Sequence, residues 1–128
     1  MTMTPVRIAA IAVLALRAAY GAALVAAPGR VTKQWLGPAA TQPPAVVGVR
    51  GLGAREVAVH VAAIVGALRG APLRPWLAVS VAGDLSDIAI TAASRDGLPD
   101  KAAIKTLAVA GGSAAISAAL AVVVDRDT

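Results

Sequence analysis

The sequence predicts an all-α membrane protein, with four transmembrane helices in an antiparallel bundle that forms one domain over residues 1–128. Hydrophobic residues make up 58% of the chain and charged residues only 15%, whereas about a quarter of the residues in an ordinary soluble domain are charged. Four apolar stretches each approach the ~20 residues that a helix needs to cross a bilayer. They are rich in Ala and Gly, which allow helices to pack closely inside lipid.

The first predicted span covers residues 6–27 and stops at Pro28-Gly29, a usual helix terminator. A cleaved signal peptide is the alternative, because Arg7 precedes the apolar run and small residues precede Pro28. However, Arg17 interrupts the run, and the apolar part of a signal peptide is normally about 7–15 residues long. We therefore expect this helix to be retained.

The segment over residues 29–45 is too polar and too rich in proline to cross a membrane. We predict an interfacial loop, in which the piece VTKQWLG lies at the membrane surface with Trp35 at the level of the headgroups. Trp76 is predicted to mark the opposite interface.

The second and third spans are predicted over residues 46–68 and 76–94, joined by the tight hairpin RGAPLRP. The fourth is predicted over residues 102–124, after the polar turn SRDGLPDK. Four spans place both termini on one side, and the positive-inside rule gives nearly equal counts for the two sides. The short tail DRDT holds nothing that needs translocation, so we predict a multi-pass protein of the inner (plasma) membrane with cytoplasmic termini.

Seven ionisable residues lie within the predicted spans: Arg17, Arg50, Arg55, Glu56, His60, Asp84 and Asp87. A charge at the centre of a membrane helix costs at least about 2.5–3.5 kcal/mol, so such residues normally face the bundle interior and pair. Counting outward from the hairpin, and from the helix ends on the other side, gives the depth of each residue. These depths predict that Arg17 pairs with Asp84. They also predict that Arg55 pairs with Asp87, with Glu56 and His60 beside the two pairs.

This predicted network has two interpretations. Buried polar groups can fix the register and pairing of helices without any further role. Intramembrane ionisable residues also form proton or ion paths and polar substrate sites. The sequence leaves both open.

Small residues predict where helices pack closely. These helix-packing positions are Gly48, Gly51 and Gly53 in the second span and Gly111, Ala115 and Ala119 in the fourth. The glycine-rich piece GVRGLGAR follows no strand, which argues against a phosphate-binding loop.

We predict no catalytic residue, cofactor or metal. Glu56 and His60 have the i, i+4 spacing of two metal ligands on one helix face. However, a chain with one His and no Cys offers few of the ligands that a transition metal or a haem needs. No nucleic-acid partner is predicted, because the basic residues flank the spans and do not cluster with aromatic residues. They fit contacts with anionic lipid headgroups instead.

Three pieces, APGRVTKQWLG, VRGLGAREVAVH and AGDLSDIAI, resemble in order and spacing a family of small four-helix membrane proteins that is common in actinobacteria. The family is described as a domain of unknown function, with an R-x-x-G-x-R-[DE] start of the second helix and a D-x-x-D in the third. The matching residues here are Arg50, Gly53, Arg55, Glu56, Asp84 and Asp87. The resemblance implies a four-helix membrane fold and no established activity. Small proteins of this kind occur as accessory subunits of larger machines, such as the mycobacterial Mce-type lipid importers.

From these features we expect a non-enzymatic accessory or stabilising subunit of a larger membrane complex, in lipid transport, with membrane lipids and other membrane subunits as its partners. The alternative is a small proton- or ion-coupled transporter that uses the intramembrane charged residues. A membrane enzyme ranks below both, because no catalytic constellation is recognisable in the sequence.

Overall fold

The computed structural model describes residues 3–126, most of which are helical. The helices are α1 (Pro5–Ala26), α2 (Pro28–Leu36), α3 (Pro43–Leu68), α4 (Arg74–Ala93) and α5 (Ala102–Val123), with short 3₁₀ turns at Gly37–Thr41 and Arg95–Gly97. Within the described residues, four of these helices are long and apolar enough to cross a membrane: α1, α3, α4 and α5. The predicted all-α bundle of four spanning helices is confirmed, and the chain is a multi-pass membrane protein.

The prolines account for most of the differences between the predicted and observed helix bounds. α3 begins at Pro43, three residues before the predicted start, because the Pro43-Pro44 pair forms its first turn. A missing N–H is harmless there, since the first N–H groups of a helix have no partner within it. In the same way, Pro28 ends α1 and also begins α2. The predicted interfacial loop over residues 29–45 is therefore mostly helical.

The four spanning helices pack as two pairs, α1 against α3 and α4 against α5. The backbones of the first pair come closest where Gly21 faces Gly53. A Cβ atom added to Gly53 would lie 2.5 Å from the carbonyl oxygen of Gly21, and one added to Gly21 would lie 2.8 Å from that of Gly53. Since any side chain at either position would push the helices apart, this crossing requires glycine.

Among the predicted packing glycines, only Gly53 makes a close helix contact within the described chain. A Cβ atom on Gly48 or Gly51 would meet nothing within 4 Å. On α5, Ala115 and Ala119 are exposed, and a Cβ on Gly111 would meet a side chain of its own helix; the packed stripe is instead formed by Ala110, Ala114 and Ser117. The prediction for α5 was wrong within this bundle, because small residues occur on several of its faces and composition does not select one.

The two ends of the bundle differ. The terminal end holds the start of α1, the end of α5 and the α3–α4 hairpin, and the loop end holds α2 and the α4–α5 connection. The apolar core lies toward the terminal end and is formed by Ala10, Leu14, Ala63, Ala67, Leu73, Leu77 and Val124. The bundle is thus tightly filled on one side of the spans.

Arg7 closes the terminal end at the last turn of α3. It is only 1% exposed, and its Nη2 donates to the carbonyl oxygens of Ala67 at 2.9 Å and Ala71 at 2.7 Å. The last carbonyl groups of a helix lack partners within the helix and attract positive charge. Arg7 therefore caps α3.

Asp125 caps the start of α4 at the same end. Its carboxylate accepts the backbone N–H groups of Leu73 at 3.2 Å and Arg74 at 2.8 Å. It also lies 3.6 Å from the Nη1 of Arg7. Arg7 and Asp125 come from opposite ends of the chain. They carry opposite charges and cap the end of α3 and the start of α4, the two helix ends that the hairpin joins.

Candidate functional site: a polar cavity between two helix pairs

A cavity of about 770 Å³ lies between the two helix pairs and receives side chains from all five helices. Small-molecule sites commonly have volumes of about 300–1,000 Å³. Six of the seven predicted intramembrane residues line the cavity: Arg17, Arg55, Glu56, His60, Asp84 and Asp87. The seventh, Arg50, is exposed and donates from Nε to the carbonyl oxygen of Val25 at 3.1 Å, so it ties the start of α3 to the end of α1.

The predicted ion pair between Arg17 and Asp84 is formed. Nη1 donates to Oδ1 at 3.2 Å, and Nη2 donates to Oδ2. This is the bidentate geometry that suits a guanidinium and a carboxylate. The two side chains are only 13% and 10% exposed.

Two serines of α5 complete this group, which we call the Arg17 cluster: Arg17, Asp84, Ser113 and Ser117. Nη2 of Arg17 donates to the Oγ of Ser113 at 2.7 Å and to that of Ser117 at 3.2 Å. The cluster therefore joins α1, α4 and α5. Sequence reasoning missed the serines, although their spacing of four residues puts them on one face of the otherwise apolar α5.

His60 links α3 to α4 inside the cavity wall. The ring is 3% exposed. Its Nδ1 lies 2.7 Å from the backbone carbonyl oxygen of Glu56, which only accepts hydrogen bonds, so Nδ1 carries a proton. Its Nε2 lies 3.1 Å from the Oγ of Ser80.

The Ser80 hydroxyl can form a hydrogen bond with the Nε2 of His60 whether the ring is neutral or protonated. This hydroxyl also lies 3.1 Å from the carbonyl oxygen of Trp76. A neutral ring accepts the Ser80 proton at Nε2; a protonated ring donates to Ser80, whose own proton then goes to Trp76. The carboxylate of Glu56, with Oε2 3.3 Å from Nδ1, lies beside the ring in either state.

The predicted ion pair between Arg55 and Asp87 is not formed. Neither side chain makes a hydrogen bond or ion pair with the rest of residues 3–126, and both line the cavity. The prediction was wrong because counting along the hairpin gives depth and not direction. α3 packs mainly on α1 and α4 mainly on α5, so equal depth on α3 and α4 does not by itself bring two side chains into contact.

Two aromatic side chains, Tyr20 and Trp35, line the same cavity. The Nε1 of Trp35 donates to the Oγ1 of Thr91 at 3.0 Å, so this side chain turns toward α4. Its predicted role as an anchor among headgroups stays a prediction. Trp76, the other predicted anchor, packs partly buried against the apolar core at the opposite end of the bundle. Sequence reasoning missed Tyr20, which lies one turn from Arg17 on the same face of α1.

Comparison with protein-family models, with curated proteins and with solved structures found no match for the chain. The resemblance to an actinobacterial membrane family therefore stays a prediction. In residues 3–126, no three His, Asp or Glu side chains are grouped so that they could hold a metal ion.

Proposed function

We propose that this protein is a small, non-enzymatic carrier of the plasma membrane, which binds a polar or charged solute in the cavity between its helix pairs. The observation that carries the proposal is the pair of unengaged opposite charges, Arg55 and Asp87, that line this cavity. Ionisable residues within membrane spans are costly and commonly mark substrate and ion pathways.

The charged residues of the cavity fall into a paired group and an unpaired group, and this difference supports the proposed function. A network that served only to lock the helices would be expected to pair its charges, because an unpaired charge out of water weakens a fold. The Arg17 cluster meets that requirement and joins the two helix pairs. Arg55 and Asp87 do not, so they remain available to a ligand.

His60 supplies a means of coupling solute movement to protons. The His60–Ser80 hydrogen bond persists in both protonation states without displacement of heavy atoms, while the single Ser80 proton goes to Nε2 in one state and to the carbonyl oxygen of Trp76 in the other. With the termini in the cytoplasm, the filled core faces inward and the cavity lies toward the outer side, which is the arrangement of an outward-facing carrier.

A second candidate function is that of an accessory subunit of a larger complex, such as a lipid importer of the Mce type. The observation that favours it is that Gly48 and Gly51 on α3 and the exposed Ala115 and Ala119 on α5 leave the outer surface of the bundle open to close approach by other helices. Affinity purification in mild detergent, followed by mass spectrometry, tests this role. Recovery of a fixed membrane partner would support it, and recovery of this chain alone would count against it.

The carrier function is tested by the sidedness of cysteine labelling. The chain has no native cysteine, and a Cβ atom at Gly83, which lines the cavity, would meet nothing within 4 Å. Gly83→Cys in oriented proteoliposomes should therefore react with a charged, membrane-impermeant thiol reagent added at the loop end. A carrier must also expose the site to the other side, so a fraction should react when the reagent is added at the terminal end.

The matched control is Gly51→Cys, which is equally free of close neighbours but does not line the cavity. It should react slowly from both sides. Reaction of Gly83→Cys from the loop end alone, under every condition of pH and membrane potential, would contradict the carrier function and favour a fixed binding or accessory role.

A further inference from the structure

The half of the cavity that lies toward the loop end contains a particular set of side chains. Tyr20 and Asp87 follow Arg17 and Asp84 by three residues on α1 and α4, so each lies one helical turn nearer the loop end than the Arg17 cluster. Glu56 reaches the same level, because its Cβ would lie 2.8 Å from a Cβ built on Gly21. Trp35, held by Thr91, lies one further turn along α4.

The use of aromatic residues here is selective. The chain has two Trp, one Tyr and no Phe, and Tyr20 and Trp35 both line this cavity. Aromatic faces attract cations, by about 0.5–2 kcal/mol each depending on exposure. They also offer apolar surface to the body of an organic molecule.

Two carboxylates of the cavity, Glu56 and Asp87, form no ion pair with an arginine or lysine among the described residues. Arg17 is neutralised by Asp84. Lys105 is exposed on the first turn of α5 and donates to the Oε1 of Gln34 at 3.1 Å. Glu56 lies beside the His60 ring, with Oε2 3.3 Å from Nδ1. The other permanent cations of the cavity, Arg55 and Lys105, are both exposed and form no ion pair with Glu56 or Asp87. The Arg55 guanidinium ends a long flexible side chain, which a ligand can displace.

We propose that this half of the cavity binds an organic cation, a positively charged centre attached to a hydrophobic body, among the rings of Tyr20 and Trp35 and the carboxylates of Glu56 and Asp87. This inference rests on the proposed carrier function and names the class of its substrate. In this arrangement, the cation pairs with carboxylates that Arg55 does not engage. Arg55 remains a like charge in the same cavity, which repels the substrate.

Binding is tested with tetraphenylphosphonium, and tetraphenylborate serves as a probe of nearly the same size and shape with the opposite charge. The Trp76→Phe variant keeps Trp35 as the single tryptophan and reports quenching inside the cavity. The Trp35→Phe variant keeps only Trp76, which lies outside the cavity, and reports partitioning into the micelle. The full chain is used in an uncharged detergent.

Tetraphenylphosphonium should quench Trp35 saturably, and tetraphenylborate should only partition. Asp87→Asn should weaken the phosphonium affinity by about tenfold or more, which corresponds to 1.4 kcal/mol. Because Asp87 has no partner among the described residues, this variant should fold normally. Asp100→Asn, the same change at an exposed position outside the spans, should have no effect.

Arg55→Gln provides the second, opposite test. Removal of this like charge should raise the phosphonium affinity several-fold, a result that general damage to the fold would not produce.

Saturable binding of tetraphenylborate, or an unchanged phosphonium affinity in both Asp87→Asn and Arg55→Gln, would overturn the cation assignment while leaving a ligand-binding cavity. The cation assignment would also be overturned if neither tetraphenylphosphonium nor tetraphenylborate bound saturably. In each case, the sided labelling of Gly83→Cys reports separately whether the carrier function stands.

Discussion

Replacement of Arg17 by Met should lower the free energy of unfolding by about 3–5 kcal/mol, the usual cost of leaving a buried charge without its partner. The variant removes the hydrogen bonds to both carboxylate oxygens of Asp84 and to the hydroxyls of Ser113 and Ser117. It leaves the Asp84 side chain, only 10% exposed, without a cation. It also removes the group that ties α1 to α4 and α5.

The reciprocal change should cost less. In Asp84→Asn, the new amide still accepts a hydrogen bond from Arg17, which also keeps both serine hydroxyls. We expect a loss of about 1–3 kcal/mol. The double variant Arg17→Met/Asp84→Leu buries no charge at this position. Since apolar replacement of a whole buried ion pair is often neutral or stabilising, most of the loss should be recovered.

These effects are measured by reversible unfolding in mixed micelles, followed by circular dichroism. Arg50→Met is the matched control, because Arg50 is exposed and makes one hydrogen bond, to the carbonyl of Val25; its loss should cost about 1 kcal/mol or less. The reasoning is refuted if Arg17→Met is no more destabilising than Arg50→Met. It is equally refuted if the double variant is as unstable as Arg17→Met alone.

Four further variants test the helix packing, the capping of α3 and the hydrogen bonds of His60. Gly53→Ala should destabilise the bundle by about 1–3 kcal/mol through the clash with Gly21. Gly51→Ala, with open space around its Cβ, should be neutral or stabilising by up to about 1 kcal/mol in the same unfolding assay. Arg7→Met should expose the last turn of α3, seen as faster amide hydrogen exchange there and not in the middle of α3. Ser80→Ala should change the ¹⁵N chemical shift of the His60 Nε2 and leave that of Nδ1 nearly unchanged, because only Nε2 contacts the hydroxyl. Equal changes in chemical shift at the two nitrogens would contradict the assigned hydrogen bonds.

The sequence predicted the features that depend on length, composition and depth. Apolar runs of the right length identify the four spans, and counting from the helix ends placed Arg17 level with Asp84, which it contacts. Polar composition correctly excluded residues 29–42 from the spans, although proline content suggested a loop where α2 lies and placed the start of α3 three residues late. Proline at a helix start is favourable, so it marks a boundary without marking a loop.

The sequence did not predict which face of each spanning helix points into the bundle. Each spanning helix is apolar almost all round, so periodicity does not select an inner face. For that reason, Arg55 and Asp87 were paired by depth although they form no ion pair, and Ala115 and Ala119 were expected inside the bundle although they are exposed. α3 packs against α1 at the contact of Gly21 with Gly53, and this pairing leaves the cavity between the two helix pairs. No local sequence pattern predicts which helices pair.

The central claim, a cavity lined by charged side chains between the helix pairs, implies that water enters it and is tested most directly at two adjacent residues of α5. Gly112 lines the cavity and Gly111 does not, yet they lie at nearly the same depth. A Cβ atom at Gly112 would meet nothing within 4 Å, and one at Gly111 would make only an ordinary contact with Leu107, at 3.7 Å. A thiol reacts as the thiolate, which forms in water and is suppressed in apolar surroundings. In reconstituted membranes, Gly112→Cys should therefore react with a small charged thiol reagent much faster than Gly111→Cys. Equal rates at the two positions, or a protected Gly112→Cys, would contradict the account.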